Sequence, residues 1–122
     1  MAGAVMMKLL EADVVDCFEY RILVLAGEID ASVRDELLAQ IVDLIDRERT
    51  PLLIDMTGVT FCDSTGLTVA ISARRHVAAA GGRLAWCGLN KRVGEIFRVT
   101  GVDRIVAVYP TLAAATRAVT GS

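Results

Sequence analysis

The sequence predicts an α/β protein with one mixed β-sheet flanked by about four helices, in the order β-β-α-β-α-β-α-β-α. Three observations predict it. Short β-rich runs alternate with segments whose apolar residues recur at helical spacing. Hydrophobic residues make up 54% of the chain and aromatics only 5%, a mixture rich in Ala, Val, Leu and Ile that suits a compact α/β core and opposes disorder. The length of 122 residues fits one ordinary domain, able to bury a single core without disulfides or a metal.

Taken in order, "DVVDCF" and "YRILVLAG" read as two antiparallel strands joined by a turn. From Ser32 to Glu48, Val33, Leu37, Ile41, Leu44 and Ile45 recur on one helical face. Arg34, Asp35, Asp43, Asp46 and Arg47 fill the other. "PLLIDM" is a short buried strand opened by Pro51, a residue tolerated at a strand's first position. A second helix runs from about Ser64 to Ala80 and stops at Gly81-Gly82, and "RLAWCG" returns the chain to the sheet. Asn90 caps a third helix carrying Val93, Ile96 and Phe97, which Gly101 ends before the strand "RIVAVY". Thr111 caps a last helix with Leu112, Ala115 and Val119 facing inward. No linker, repeat or low-complexity tract suggests a boundary, so residues 1–122 are expected to form one unit, its strands after the hairpin joined by right-handed crossovers.

Charge and cysteine usage narrow the function. Thirteen basic residues stand against fifteen acidic ones, a formal net charge of -2, and no basic stripe is interleaved with aromatics, which argues against direct nucleic-acid binding. Cys17, Cys62 and Cys87 form no C-x-x-C pair, and their odd number fits a reducing compartment, so the cytoplasm is expected. The opening "MAGAVMMK" lacks the basic start and cleavage pattern of a signal peptide, and no run of about twenty apolar residues predicts membrane insertion. With one histidine and scattered cysteines, no metal site assembles at plausible spacing.

The stretch "VTFCDSTGL", Val59 to Leu67, gathers hydroxyls and a carboxylate where an apolar run gives way to a helix. Asp63 or Ser64 at that position serves as an N-cap, and the helix dipole there favours negative charge. A Ser-His-Asp nucleophile would have to use His76, which lies twelve residues beyond Ser64. On a continuous helix that is about 18 Å along the axis, far beyond hydrogen-bond reach. Neither G-x-x-x-x-G-K-[ST] nor G-x-G-x-x-G is present to cradle a nucleotide, and no cofactor is implied. Ser64 therefore reads as a residue acted upon. A phosphate of about -1.5 to -2 charge would meet the dipole and free N–H groups of the helix start, yet would be costly to desolvate at a protein interface.

"GEID" at Gly27 to Asp30, "LLIDMTGVTFCDSTGL" at Leu52 to Leu67, the "AGGRL" turn and "VTGVDRIV" together resemble the STAS family, specifically bacterial anti-sigma factor antagonists, over about residues 13 to 119. The resemblance implies that Ser64 is a regulatory phosphorylation site. It further implies that the unphosphorylated form binds an anti-sigma factor, commonly an ATP-using serine kinase, and so frees a sigma factor. Phosphorylation by that kinase would break the complex and a PP2C-type phosphatase would restore it. Asp30, with Glu28 beside it on the same loop, corresponds to the acidic segment that contacts the kinase; a cap for the first helix is the other reading of these two residues, and both roles can coexist. Asp63, Thr65, Gly66 and Thr68 would complete the partner surface. Thr65 offers a second hydroxyl for modification. The family resemblance also allows a non-switching interaction module of a larger signalling assembly or a transporter complex. The chain departs from the family after Asp30, where "ASVRDEL" lacks the frequent Thr-Ala pair, although Ser32 and Asp35 still resemble a capping box. Cys62, at a usually aliphatic position, is expected to be a buried small hydrophobe, with a redox-sensitive thiol as the alternative. Arg74, Arg75 and His76 are expected on the solvated side of their helix, and Trp86 in the core.

Overall fold

The computed structural model describes residues 4–48 and 50–121. Six strands form one sheet in sequential order: β1 (Ala4–Met7), β2 (Leu10–Asp16), β3 (Arg21–Ile29), β4 (Leu52–Cys62), β5 (Leu84–Cys87) and β6 (Ala107–Tyr109). The first three pair antiparallel and β3 to β6 pair parallel, the mixed sheet that the sequence predicts. Helices α1 (Arg34–Arg47), α2 (Thr65–Ala80) and α3 (Lys91–Val99) connect the parallel strands, and α4 (Leu112–Thr120) closes the chain.

The order is β-β-β-α-β-α-β-α-β-α, one strand more than expected. The extra strand is β1, formed from part of the opening segment; Met1–Gly3 lie outside the described residues. Its turn, Lys8-Leu9, places Lys8 at φ 55, a conformation that Asn or Gly usually announces. Here neither does, so pairing with Leu10–Asp13 decides the strand instead of local sequence. β4 also runs six residues beyond "PLLIDM", up to Cys62. In "RIVAVY" only Ala107–Tyr109 is strand, because a 3-10 turn over Val102–Arg104 takes up the preceding residues.

Two cores lie on opposite faces of the sheet. On one, Leu37, Ile41, Leu44 and Ile45 of α1 meet α2 and the inward residues of β3 and β4. Trp86 of β5 packs there against Phe97 of α3, ring centroids 6.4 Å apart. On the other, Ala115 of α4 covers Ile22, Leu53, Ala85 and Cys87, with Leu112 and Val119 alongside. Each fully buried Leu or Ile contributes about 1.5–3 kcal/mol. Gly81 ends α2 in a left-handed conformation, its N–H donating to the Val77 carbonyl, as the Gly-Gly signal predicts.

Candidate functional site

Parallel pairing of β3 and β4 brings the two motif segments to one edge of the sheet. Ile29 lies opposite Cys62, and the Asp63 N–H donates to the Ile29 carbonyl at 3.2 Å. The ends of "GEID" and "CDST" are thus neighbours, although more than thirty residues separate them.

Gly27 sets the approach. Its φ is +116, and a Cβ there would lie 2.0 Å from the Leu9 carbonyl oxygen. The register of β3 against β4 shifts between Gly27 and Glu28, and the Glu28 N–H donates to that same Leu9 carbonyl. Glu28 is therefore a strand residue, half-buried beside Phe61, and not part of a loop. Asp30 follows as the cap of the 3-10 turn Ala31–Val33 that leads into α1. Its Oδ1 accepts from the Ser32 hydroxyl at 2.5 Å and the Ser32 N–H at 2.9 Å, and these bonds hold the carboxyl below the usual aspartate range. The Ser32–Asp35 capping box does not form; Asp30 takes the cap, and α1 begins at Arg34.

At the start of α2 the roles of Asp63 and Ser64 separate. Asp63 Oδ1 accepts from the Thr65 N–H at 2.8 Å, so Asp63 supplies the side-chain cap. Ser64 occupies the N-cap position, is exposed, and makes no side-chain cap bond. Its carbonyl accepts from the Leu67 and Thr68 N–H groups, and the Asp63 carbonyl accepts from Gly66. The first amides of α2 are thus already engaged. The unpaired N–H groups expected to greet a phosphate are absent at these positions, leaving the helix dipole and solvent.

Thr65 and Gly66 are buried, the former with 6% exposure, while Thr68 is exposed. A Cβ on Gly66 would stand 2.3 Å from Cys62 Sγ, so Gly66 lets β4 and α2 meet closely. Buried there, it shapes the site from beneath. Cys62 is 7% exposed, and burial pushes its thiol up to about 11, the behaviour of a buried small residue and not of an activated thiol. His76 is not simply solvated: its Nε2 lies 2.7 Å from Asp46 Oδ1 and ties α2 to α1. With α2 unbroken from Thr65 to Ala80, this pairing takes the histidine away from Ser64.

The sequence reading missed what flanks Asp63. A groove of about 190 Å³ runs between the end of β4 and the start of α3, lined by Phe61, Asp63, Asn90 and Arg92 among others. Asn90 caps α3 by accepting from the Val93 N–H, and its Nδ2 donates to the Val59 carbonyl. The "GLNKR" segment carries this second tie without any spacing signal toward β4, since only the fold brings them together. Among the described residues no three His, Cys, Asp or Glu side chains group to hold a metal ion, and no helix is long and apolar enough to cross a membrane.

The site thus sets one exposed serine without a side-chain cap bond, with carboxylates nearby, at the end of the parallel strands of a mixed α/β sheet. The family model of the STAS domain matches residues 10–115, and the chain belongs to the STAS domain family. The anti-sigma-B factor antagonist of Listeria monocytogenes serovar 1/2a is 32% identical over 83 residues, covering 68% of this chain and 73% of that protein. Among solved structures, an anti-sigma factor antagonist from Mycobacterium paratuberculosis superposes with a TM-score of 0.82 at 24% identity, covering 91% of this chain and 94% of that one. The Bacillus cell fate determinant SpoIIAA in its phosphorylated form gives a TM-score of 0.62 at 18% identity, covering 97% and 99%. These two structural likenesses concern the fold.

Proposed function

We propose that this chain is an anti-sigma factor antagonist whose binding is switched by phosphorylation of Ser64. The observation that carries the reading is the division of labour at the start of α2: Asp63 caps the helix, which leaves the exposed Ser64 hydroxyl available for modification. The antagonist relative from Listeria supports the functional class.

In this reading the unphosphorylated protein binds an anti-sigma factor of the ATP-using serine-kinase type in the cytoplasm and frees a sigma factor. Glu28, Asp30, Asp63, Ser64 and Thr68 contact that partner, while buried Thr65 and Gly66 hold their geometry. The protein is the kinase's substrate and performs no catalysis itself. Phosphate on Ser64 adds about two negative charges beside Asp63 and Asp30, and it must lose hydration at the interface. Each 1.4 kcal/mol of that penalty weakens binding about tenfold, so a few kcal/mol separates bound from free. A PP2C-type phosphatase resets the switch. Because Asp63 and not Ser64 caps α2, the modified chain keeps its fold.

The test is capture from native-host lysate on Ser64→Ala and Ser64→Glu proteins side by side. The reading expects Ser64→Ala to retain a small ATP-binding kinase that Ser64→Glu does not. Equal retention of one partner by both variants would replace the switch with a constitutive STAS interaction module.

A further inference from the structure

The sheet face opposite α1, α2 and α3 is only partly covered. Helix α4 packs over the β4–β5 side of it through Ala115, leaving β1, β2, the upper half of β3 and the end of β4 open. Because strand residues alternate between faces, burial of Leu10, Ala12, Leu23 and Leu25 on the first face turns Glu11, Asp13, Val24 and Ala26 to this one. The register aligns them in rows. Met6, Glu11 and Ala26 form one row, Asp13, Val24 and Asp55 the next, and Glu28 stands beside Phe61 at the top.

The open face thus carries four carboxylates, Glu11, Asp13, Glu28 and Asp55, and no lysine or arginine at its strand positions, in a chain whose formal net charge is only -2. Among the described residues none of the four makes an ion pair. None of the four stands directly opposite another across the strands; spread over the face, they give it a negative potential. Protection of the sheet edge does not account for it. That device places charge on the edge strand, yet β1 presents Ala4 and Met6 to this face, and the carboxylates lie on β2, β3 and β4. Between them are apolar groups, with Met6 63% and Phe61 44% exposed. Three strands spaced about 4.8 Å apart give a strip roughly 14 Å wide, room for one helix of about 10–12 Å diameter lying beside α4.

We propose that this open face is a second docking surface, which receives a basic amphipathic helix of a partner protein. Its apolar stripe rests on Met6, Val24, Ala26 and Phe61, and its lysines and arginines reach Glu11, Asp13, Glu28 and Asp55. The proposal does not rest on the phosphorylation switch: it shares Glu28 with the surface proposed for the kinase, but its other residues lie on the sheet face away from the start of α2.

The probe is a synthetic helical peptide with leucines along one side flanked by arginine and lysine, titrated into ¹⁵N-labelled protein; a charge-reversed glutamate peptide is the control. The expected result is amide shifts confined to β1–β4 and centred on Glu11, Asp13, Val24 and Glu28, with no response to the acidic peptide. Glu11→Gln/Asp13→Asn, two changes at surface strand positions whose folding circular dichroism checks, weakens binding about fivefold. Shifts centred on the acidic outer side of α1, unchanged affinity in the double variant, or binding of the acidic peptide would overturn the proposal. So would a concentration-dependent dimer, seen by sedimentation, that the double variant abolishes, because the face would then belong to a second copy.

Discussion

At the residue scale, the site depends on two buried positions, Cys62 and Gly66, where β4 and α2 meet. Gly66→Ala would place a methyl 2.3 Å from Cys62 Sγ, so the thiol must turn aside or β4 and α2 must separate. Overpacking of this kind costs about 1–3 kcal/mol, and urea unfolding of Gly66→Ala is expected to show that loss. Cys62→Ala, by contrast, gives the Gly66→Ala methyl room, and the pair should lose less than the two single variants summed. Burial also raises the thiols of Cys62 and Cys87 from 9.0 to about 11. Between those values the folded chain keeps protons that the unfolded chain releases, so stability is unaffected below about pH 9, falls as pH rises toward 11, and levels beyond it. The loss is on the order of 2 kcal/mol per thiol. Thermal melts of wild type and Cys62→Ala/Cys87→Ala across that window measure it, with the steeper decline expected in wild type. Burial of Cys62 was legible only through the family resemblance, which puts an aliphatic residue at that position, because the strand read from the sequence stopped at Met56. The clash that fixes Gly66 was not, since it joins two elements in three dimensions.

At the scale of elements, the helices were legible and the strands less so. The periodicity of Leu37, Ile41, Leu44 and Ile45 locates the buried face of α1, and all four are buried. Its start was legible in part: Asp30 reads as a cap and is one, accepting from both Ser32 donors, whereas the Ser32–Asp35 box that the local sequence offers does not form. β1 was missed for the opposite reason: four residues carry too little pattern, and pairing with β2 supplies what the sequence lacks. Gly27 is the element-scale hinge of the candidate site, since its conformation lets β3 shift register and deliver Glu28 and Asp30 beside Asp63. Gly27→Ala meets both an unfavourable φ of +116 and the Leu9 carbonyl. The expected loss is at least about 2 kcal/mol of stability, with amide shifts reaching Asp30 and Ser64. Unchanged shifts at those two residues would mean that the β3 irregularity does not position the site.

At the scale of the whole molecule, the sheet order converts two distant motifs into one surface. The β-α-β rhythm made right-handed crossovers between the later strands legible, and the family resemblance placed Asp30 and Ser64 on one partner surface; that Ile29 stands opposite Cys62 comes only from the strand register. The open acidic face was not legible, because which face α4 covers depends on where the last crossover falls. The central claim is that a single phosphate at Ser64 governs partner binding. It is tested most directly by incubating the complex of wild-type protein and its captured kinase with Mg-ATP, then following dissociation together with intact mass and site localisation. The account predicts one phosphate, on Ser64, appearing at the rate at which the complex comes apart, and neither event with Ser64→Ala. A complex that persists with Ser64 fully phosphorylated, or that dissociates with phosphate elsewhere, would contradict it.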